Sequence, residues 1–262
     1  MLGLKPKTKT YGTKKVVYDL PVDKRVEVSQ WLHPKAGVFI PNQDEIQALR
    51  SFLKPGDVCL DIGAYIGDSS VTMALAVGKE GVVFAFEPNK YVFKVLEENA
   101  VLNTDKTNII PLNFAAAPDE TEMEFEYSDS GFCNGGFHEN MSKWKHGHAF
   151  KLKVQGKNVY SFLQQNYPGC INRIRYIKID AEGFDLTVLQ SMDGLVKLVK
   201  PHIRIEVFNG TSFSYRKELF DYLAGLGYEM FYFNEGVHVR GQKLAEGDLM
   251  KWKHFDIHAL PS

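Results

Sequence analysis

The chain has 262 residues, 44% hydrophobic and 24% charged, enough for one large α/β domain with a substantial core or two small ones, and no linker-like stretch divides it. A formal net charge of −1 excludes a global attraction to nucleic acid or to an anionic membrane. Cys59, Cys133 and Cys170 have neither an even count nor metal-type spacing, which excludes a disulfide framework. With no signal-peptide core and no apolar run long enough to span a bilayer, a cytoplasmic protein is expected.

Residues 1–15 are lysine-rich and read as a loose arm. Residues 16–18 and 25–31 alternate apolar and polar around Pro21-Val22-Asp23-Lys24, which predicts a hairpin. A helix is predicted from Asn42 to Leu53, stopped by Pro55-Gly56. This leading region, 1–56, is expected to cover one side of a pocket in a main domain running over 57–262. From Asp57 onward strands (57–62, 82–87, 107–113) and helices (67–77, 89–103) alternate, which predicts a parallel sheet with right-handed crossovers. Residues 122–127 and 150–155 have period two and opposite charges on their polar faces, so they are expected to pair as an antiparallel insertion. The insertion, about 122–155, encloses a stretch rich in Gly, Asn and His, with Cys133, His138, Trp144, His146 and His148, which reads as a lid. Helices at 158–166, 184–192 and 215–226, strands at 173–180 and 202–207, and runs at 228–233 and 254–260 complete the chain.

The strand, turn and helix from Asp57 to Ser70 carry the first chemical signal. Gly63 is expected to leave room for a ligand and Gly67 to let the helix start pack closely, while Asp61 puts a carboxylate at the strand end to hold an ammonium group or waters. Asp61 stands where the first glycine of a Gly-x-Gly-x-x-Gly loop would be, so a pyrophosphate is disfavoured. The next strand ends in Glu87-Pro88-Asn89, and a carboxylate there suits the two hydroxyls of a ribose. At the third strand end, Asn113-Phe114-Ala115-Ala116 reads equally as an adenine pocket or a tight turn. The candidate cofactor contacts are therefore Asp61, Gly63, Ala64, Tyr65, Gly67, Asp68, Ser69, Glu87, Pro88, Asn113, Ala115, Ala116 and Asp180.

Charge inside a strand is costly, so Lys178, Asp180, Glu182, Arg204 and Glu206 call for a reason. Alternation puts Tyr176, Lys178 and Asp180 on one side of their strand and His202, Arg204 and Glu206 on one side of theirs. If the strands are neighbours, Asp180, Glu182 and Glu206 converge at the ligand edge. The competing structural reading pairs Lys178 with an acid and Arg204 with Glu206.

Leu60-Asp61-Ile62-Gly63-Ala64-Tyr65-Ile66-Gly67, Ala85-Phe86-Glu87-Pro88-Asn89 and Ile177-Lys178-Ile179-Asp180-Ala181-Glu182-Gly183-Phe184 resemble the FkbM-type methyltransferases, over roughly residues 45–260. Tyr65 stands where that family commonly has asparagine. The resemblance implies a Rossmann-like class I methyltransferase fold, a mostly parallel sheet with an antiparallel terminal strand. It also implies S-adenosylmethionine as cofactor, S-adenosylhomocysteine as product, and O-methylation of a sugar, glycan or glycosylated natural product. In such a transfer Asp180 or Glu182 would serve as base and Lys178 would steady developing charge, with Glu206 nearby. Alternatively, Asp180, Glu182 and Glu206 would hold a divalent cation on the acceptor oxygen. Lid aromatics Phe132, Phe137 and Trp144 would stack on sugar faces. Two other readings stay open: an RNA ribose methyltransferase, against which the charge balance argues, and a non-catalytic cofactor-binding module or partner of a glycosyltransferase.

Overall fold

In the computed structural model, residues 10–127, 150–233 and 241–262 are described. The first alternating runs form an antiparallel hairpin of Thr13–Leu20 (β1) and Lys24–Trp31 (β2). Its second strand is fastened to the body by two asparagine side chains. Asn99 accepts from Ser29 N and donates to Ser29 O, and Asn103 does the same for Glu27. The helix predicted from Asn42 forms as Gln43–Arg50 (α1), with the Asn42 side chain capping Asp44 N.

Alternating strands and helices follow in the predicted order. Val58–Ile62 (β3), Asp68–Val77 (α2), Val82–Phe86 (β4), Lys90–Val101 (α3) and Ile109–Leu112 (β5) give one half of the sheet. Ala115–Ala116 (β6), Thr121–Tyr127 (β7) and Phe150–Lys157 (β8) form a separate three-stranded sheet. Here β7 and β8 pair antiparallel as expected, with Lys153 on Glu122 at 2.7 Å and Lys151 on Glu124. These pairs are solvent-exposed, so they favour the register more than the stability. The lid, with Phe132, Cys133, Phe137, His138, Trp144, His146 and His148, lies outside the described residues.

Val159–Asn166 (α4), Ile174–Ile179 (β9), Asp185–Ser191 (α5), Asp193–Val199 (α6), His202–Val207 (β10), Phe213–Gly225 (α7), Tyr228–Phe233 (β11) and Phe255–Pro261 (β12) complete the fold. The sheet order is β11-β12-β10-β9-β3-β4-β5, with β12 antiparallel to both neighbours and the β10-β9-β3-β4-β5 pairs parallel. This is the mostly parallel, Rossmann-like sheet that was expected. The chain winds outward in opposite directions from β3 and β9, so a crevice opens at their carboxyl ends, where open α/β sheets bind ligands.

Alternation sorts the sheet's faces. Leu60, Phe84, Ile177 and Ile205 point toward Leu163, Leu189, Leu195 and Leu219 of the helices on one side, and Cys59, Val83, Ala85 and Tyr176 point toward Ile46, Leu49 and Val71 on the other. The helix α6 is additional to the predicted elements. Met192 ends α5 and begins α6 with φ −104° and ψ 14°, a break between two short helices that the apolar pattern does not show.

Arg216 of α7 fixes the loops beside this edge. Only 2% exposed, it donates to the carbonyls of Leu249, Trp252 and Lys253 at 2.7–2.8 Å and to the Thr211 hydroxyl at 3.0 Å. Truncation strands several buried acceptors at once. Arg216→Ala is therefore expected to cost about 4 kcal/mol, lowering the thermal midpoint by roughly 10 °C in calorimetry.

Candidate functional site

The loop after β3 is built from the backbone outward. Gly63 N and Ala64 N both donate to Phe86 O at 3.0 Å, and Gly67 N donates to Ala64 O at 2.8 Å, which ties the turn to the end of β4. Gly63 has φ +76°, and a Cβ there would stand 1.9 Å from Asp180 O. The touching β3 and β9 strand ends thus require glycine here on their own account. Gly67, at φ +89°, is likewise set against Leu96 of α3, 2.8 Å from a built Cβ, rather than against the strand.

Tyr65 takes a left-handed conformation, φ +50°, rarely adopted outside glycine. The strain is held from two sides: its N–H donates to Glu87 Oε2 at 3.0 Å, and its ring meets the edge of Trp31 from β2 at 6.1 Å. The other Glu87 oxygen accepts from Asn89 N at 2.7 Å, so a carboxylate 4% exposed is pinned at the end of β4 by two backbone N–H groups. Burial, with the charges of Asp180 and Asp61 adding to it against those two bonds, pushes the Glu87 carboxyl up to about 8.

Asp61 is fully buried. One oxygen accepts from the hydroxyls of Ser69 and Ser70, and the other faces Lys178 Nζ at 3.7 Å without a hydrogen bond. The carboxylate is turned inward to the loop serines and to the lysine ammonium. Asp68, at the start of α2, accepts from Ser69 N, and burial raises its pKa. Asn113 is exposed at the end of β5 and donates to Glu87 O at 2.8 Å, whereas Ala115 and Ala116 are buried in β6 against β8. Pro88, between Glu87 and Asn89, is half-buried, and its carbonyl also faces the Asn113 amide, at 3.3 Å.

The register places Asp61 beside Lys178 and Lys178 beside Arg204, a polar row across three adjacent strands. Lys178 Nζ lies 3.1 Å from Asp180 Oδ2 and 3.5 Å from Gly63 O. Burial opposes its charge, but Asp180 and Asp61 outweigh that and hold the ammonium protonated. Arg204 pairs with Asp256 of β12 and stacks on Phe233, 4.2 Å from the ring centroid. The expected Arg204–Glu206 pair is therefore not formed, because β12 inserts beside β10 and supplies a closer acid.

Residues 181–184 turn sharply after β9. Glu182 is left-handed at φ +51° and Gly183 at φ +96°. The buried Asp185 carboxylate, which sequence reasoning passed over, organises the turn by accepting from Ala181 N at 2.7 Å and Gly183 N at 2.9 Å. Burial and the neighbouring Asp180 raise the Glu182 carboxyl to about 7, against the pull of Lys178. Glu206 lies on the same face, 6% exposed, and burial followed by repulsion from Asp180, Asp185, Glu182 and Asp256 holds its proton well above the ordinary carboxylate range. Asp180, Glu182 and Glu206 thus share one region but not a ligand set. Among the described residues, no three His, Cys, Asp or Glu side chains are grouped to hold a metal ion.

Among the described residues, no helix is long and apolar enough to cross a membrane. The chain is similar to the hexuronic acid methyltransferase AglP of Haloferax volcanii, 27% identical over 171 residues, 64% of this chain and 63% of that protein. The match thus spans less than two thirds of that relative's length. Among solved structures it is similar to the methyltransferase FkbM from Methylobacillus flagellatus KT, with TM-score 0.48 and 13% identity over 78% of this chain and 44% of that one. A precorrin-6y C5,15-methyltransferase from Geobacter metallireducens GS-15 gives TM-score 0.44 and 14% identity over 87% and 92%. The family model of the methyltransferase FkbM domain matches residues 61–230, from Asp61 through the loops just described, and well over half of the sequence. The chain belongs to the FkbM methyltransferase domain family.

Proposed function

We propose that the protein is an S-adenosylmethionine-dependent O-methyltransferase whose acceptor is a hydroxyl of a sugar or glycan. The observation that carries the cofactor half is Glu87, a carboxylate fixed by Tyr65 N and Asn89 N at the end of β4, beside the glycine turn of β3. Those two bonds leave each oxygen a further lone pair, which fits the adjacent hydroxyls of a ribose and not a phosphate. Asp61, Asp68 and Asp180 set a negative potential near the same edge, which suits a cationic methionine end. The cofactor, when bound, supplies an electrophilic methyl on a sulfonium centre. The sugar half rests on the likeness to a hexuronic acid methyltransferase.

The chain's own residues divide the remaining work. Glu182, with its pKa near neutrality, takes the proton of the acceptor hydroxyl as the new bond to oxygen forms. Lys178, charged and anchored between Asp61 and Asp180, steadies the oxygen as it loses that proton. Asp180, 39% exposed at its side chain, holds Lys178 and keeps the Glu182 pKa up. Asp61 acts through the serines and Lys178.

The test is transfer of an isotopically labelled methyl to glucuronate or glucose, followed by mild alkali. Alkali-stable label is an ether at a hydroxyl and supports the reading. Alkali-labile label is a carboxyl ester, and absence of transfer to any sugar in a broader panel removes the sugar assignment.

A further inference from the structure

Glu206 is a carboxyl of this edge that the proposed chemistry leaves idle. It sits near the carboxyl end of β10, directly opposite Asp256 of β12 in register, two residues beyond Arg204 on the same face. Its Oε1 faces His254 Nε2 at 3.5 Å, too long for a charge-assisted bond, and its Oε2 is buried with no hydrogen-bond partner among the described residues. A buried polar oxygen left unpartnered is costly, and cost tolerated at a ligand edge points to a group that something else completes.

We propose that Glu206 anchors the acceptor, donating a hydrogen bond from its buried carboxyl to a sugar oxygen beside the reacting hydroxyl. This rests on the methyltransferase reading above and deepens it. A carboxylate could only accept, and would join the acids around it in repelling an acidic sugar. A carboxylic acid can donate, to a neutral hydroxyl or to a uronate oxygen alike. The groups that face it favour the acid form. Asp180 and Glu182 come from β9 and its loop, Asp185 from α5, and Asp256 from β12, with His254 the nearest base. Arg204, held by Asp256 and seated on Phe233, forms a firm wall on the same face.

The donor role separates from a base or charge role by the choice of substitution. Glutamine keeps the shape and offers an amide N–H; alanine offers nothing. The protein is saturated with S-adenosylhomocysteine, and glucuronate and glucose are titrated while ligand-observed NMR reads the dissociation constants. Wild type is expected to bind at least one of the two sugars, and Glu206→Ala to weaken it about tenfold. Glu206→Gln is expected to recover that loss to within about threefold, with S-adenosylhomocysteine affinity equal in all three proteins. Equal damage by Gln and Ala, no damage by Ala, or no sugar bound by the loaded wild type would each overturn the proposal. Failure of wild type to bind S-adenosylhomocysteine is a different result, which overturns the parent reading and this one with it.

Discussion

Glu87→Gln is expected to weaken S-adenosylmethionine binding by about a hundredfold or more, roughly 3 kcal/mol, the worth of two charge-assisted hydrogen bonds. The loss has two sources in the structure. Glutamine removes the charge that attracts the ribose hydroxyls, and it offers one acceptor oxygen where Tyr65 N and Asn89 N need two. The amide NH2 must then face a backbone N–H, which loosens the left-handed turn at Tyr65. Protons report the same event. In the ligand-free protein the Glu87 carboxyl titrates at about 8, so it is mostly protonated at pH 7. Accepting two ribose hydroxyls and neighbouring a sulfonium favour the ionised form, so binding at pH 7 should release a proton. Calorimetry in buffers of different ionisation enthalpy should show that release in wild type and lose it in the variant. Unchanged affinity in a folded Glu87→Gln protein would place the nucleoside elsewhere.

The second large effect concerns turnover. Glu182→Gln is expected to lower kcat about a thousandfold while S-adenosylmethionine affinity changes less than about twofold. The pH dependence fixes the sign. Only the ionised Glu182 can take the acceptor's proton, so wild-type kcat/KM should rise with pH through about 7 and then level. The variant should lack that rise. A rise retained in the variant would move the base to Asp180, which shares the loop.

Much of this was legible in the residues. The apolar runs at β3 and β4, the glycines between β3 and α2, and the acid that follows β4 specify strands, turn and edge by elementary sterics and charge. The opposite charges at 122–124 and 151–153 announced the β7–β8 pairing for the same reason. What stayed hidden depends on contacts distant in sequence. Arg204 took Asp256 because β12 enters between β10 and β11, and strand order cannot be read from spacing. The demand that Asp180 O places on Gly63 could not be read ahead, since only the assembled sheet brings the two together. Asp185 heads α5, where the helix dipole alone is reason enough for an acid. Its hold on Ala181 N and Gly183 N appears only once the turn at Glu182 is seen to be left-handed. The three acids expected to gather a cation share a region in which Lys178 pairs with Asp180 and burial pushes the Glu206 carboxyl up.

The central claim is that a nucleoside cofactor lies across the carboxyl ends of β3 and β4. A crystal structure of the protein with S-adenosylhomocysteine tests it most directly. Both ribose hydroxyls are expected within hydrogen-bond distance of the Glu87 carboxylate, with the sulfur directed toward Asp180 and Glu182. A ligand seated away from Glu87, or one whose sulfur points away from the turn after β9, would contradict the account.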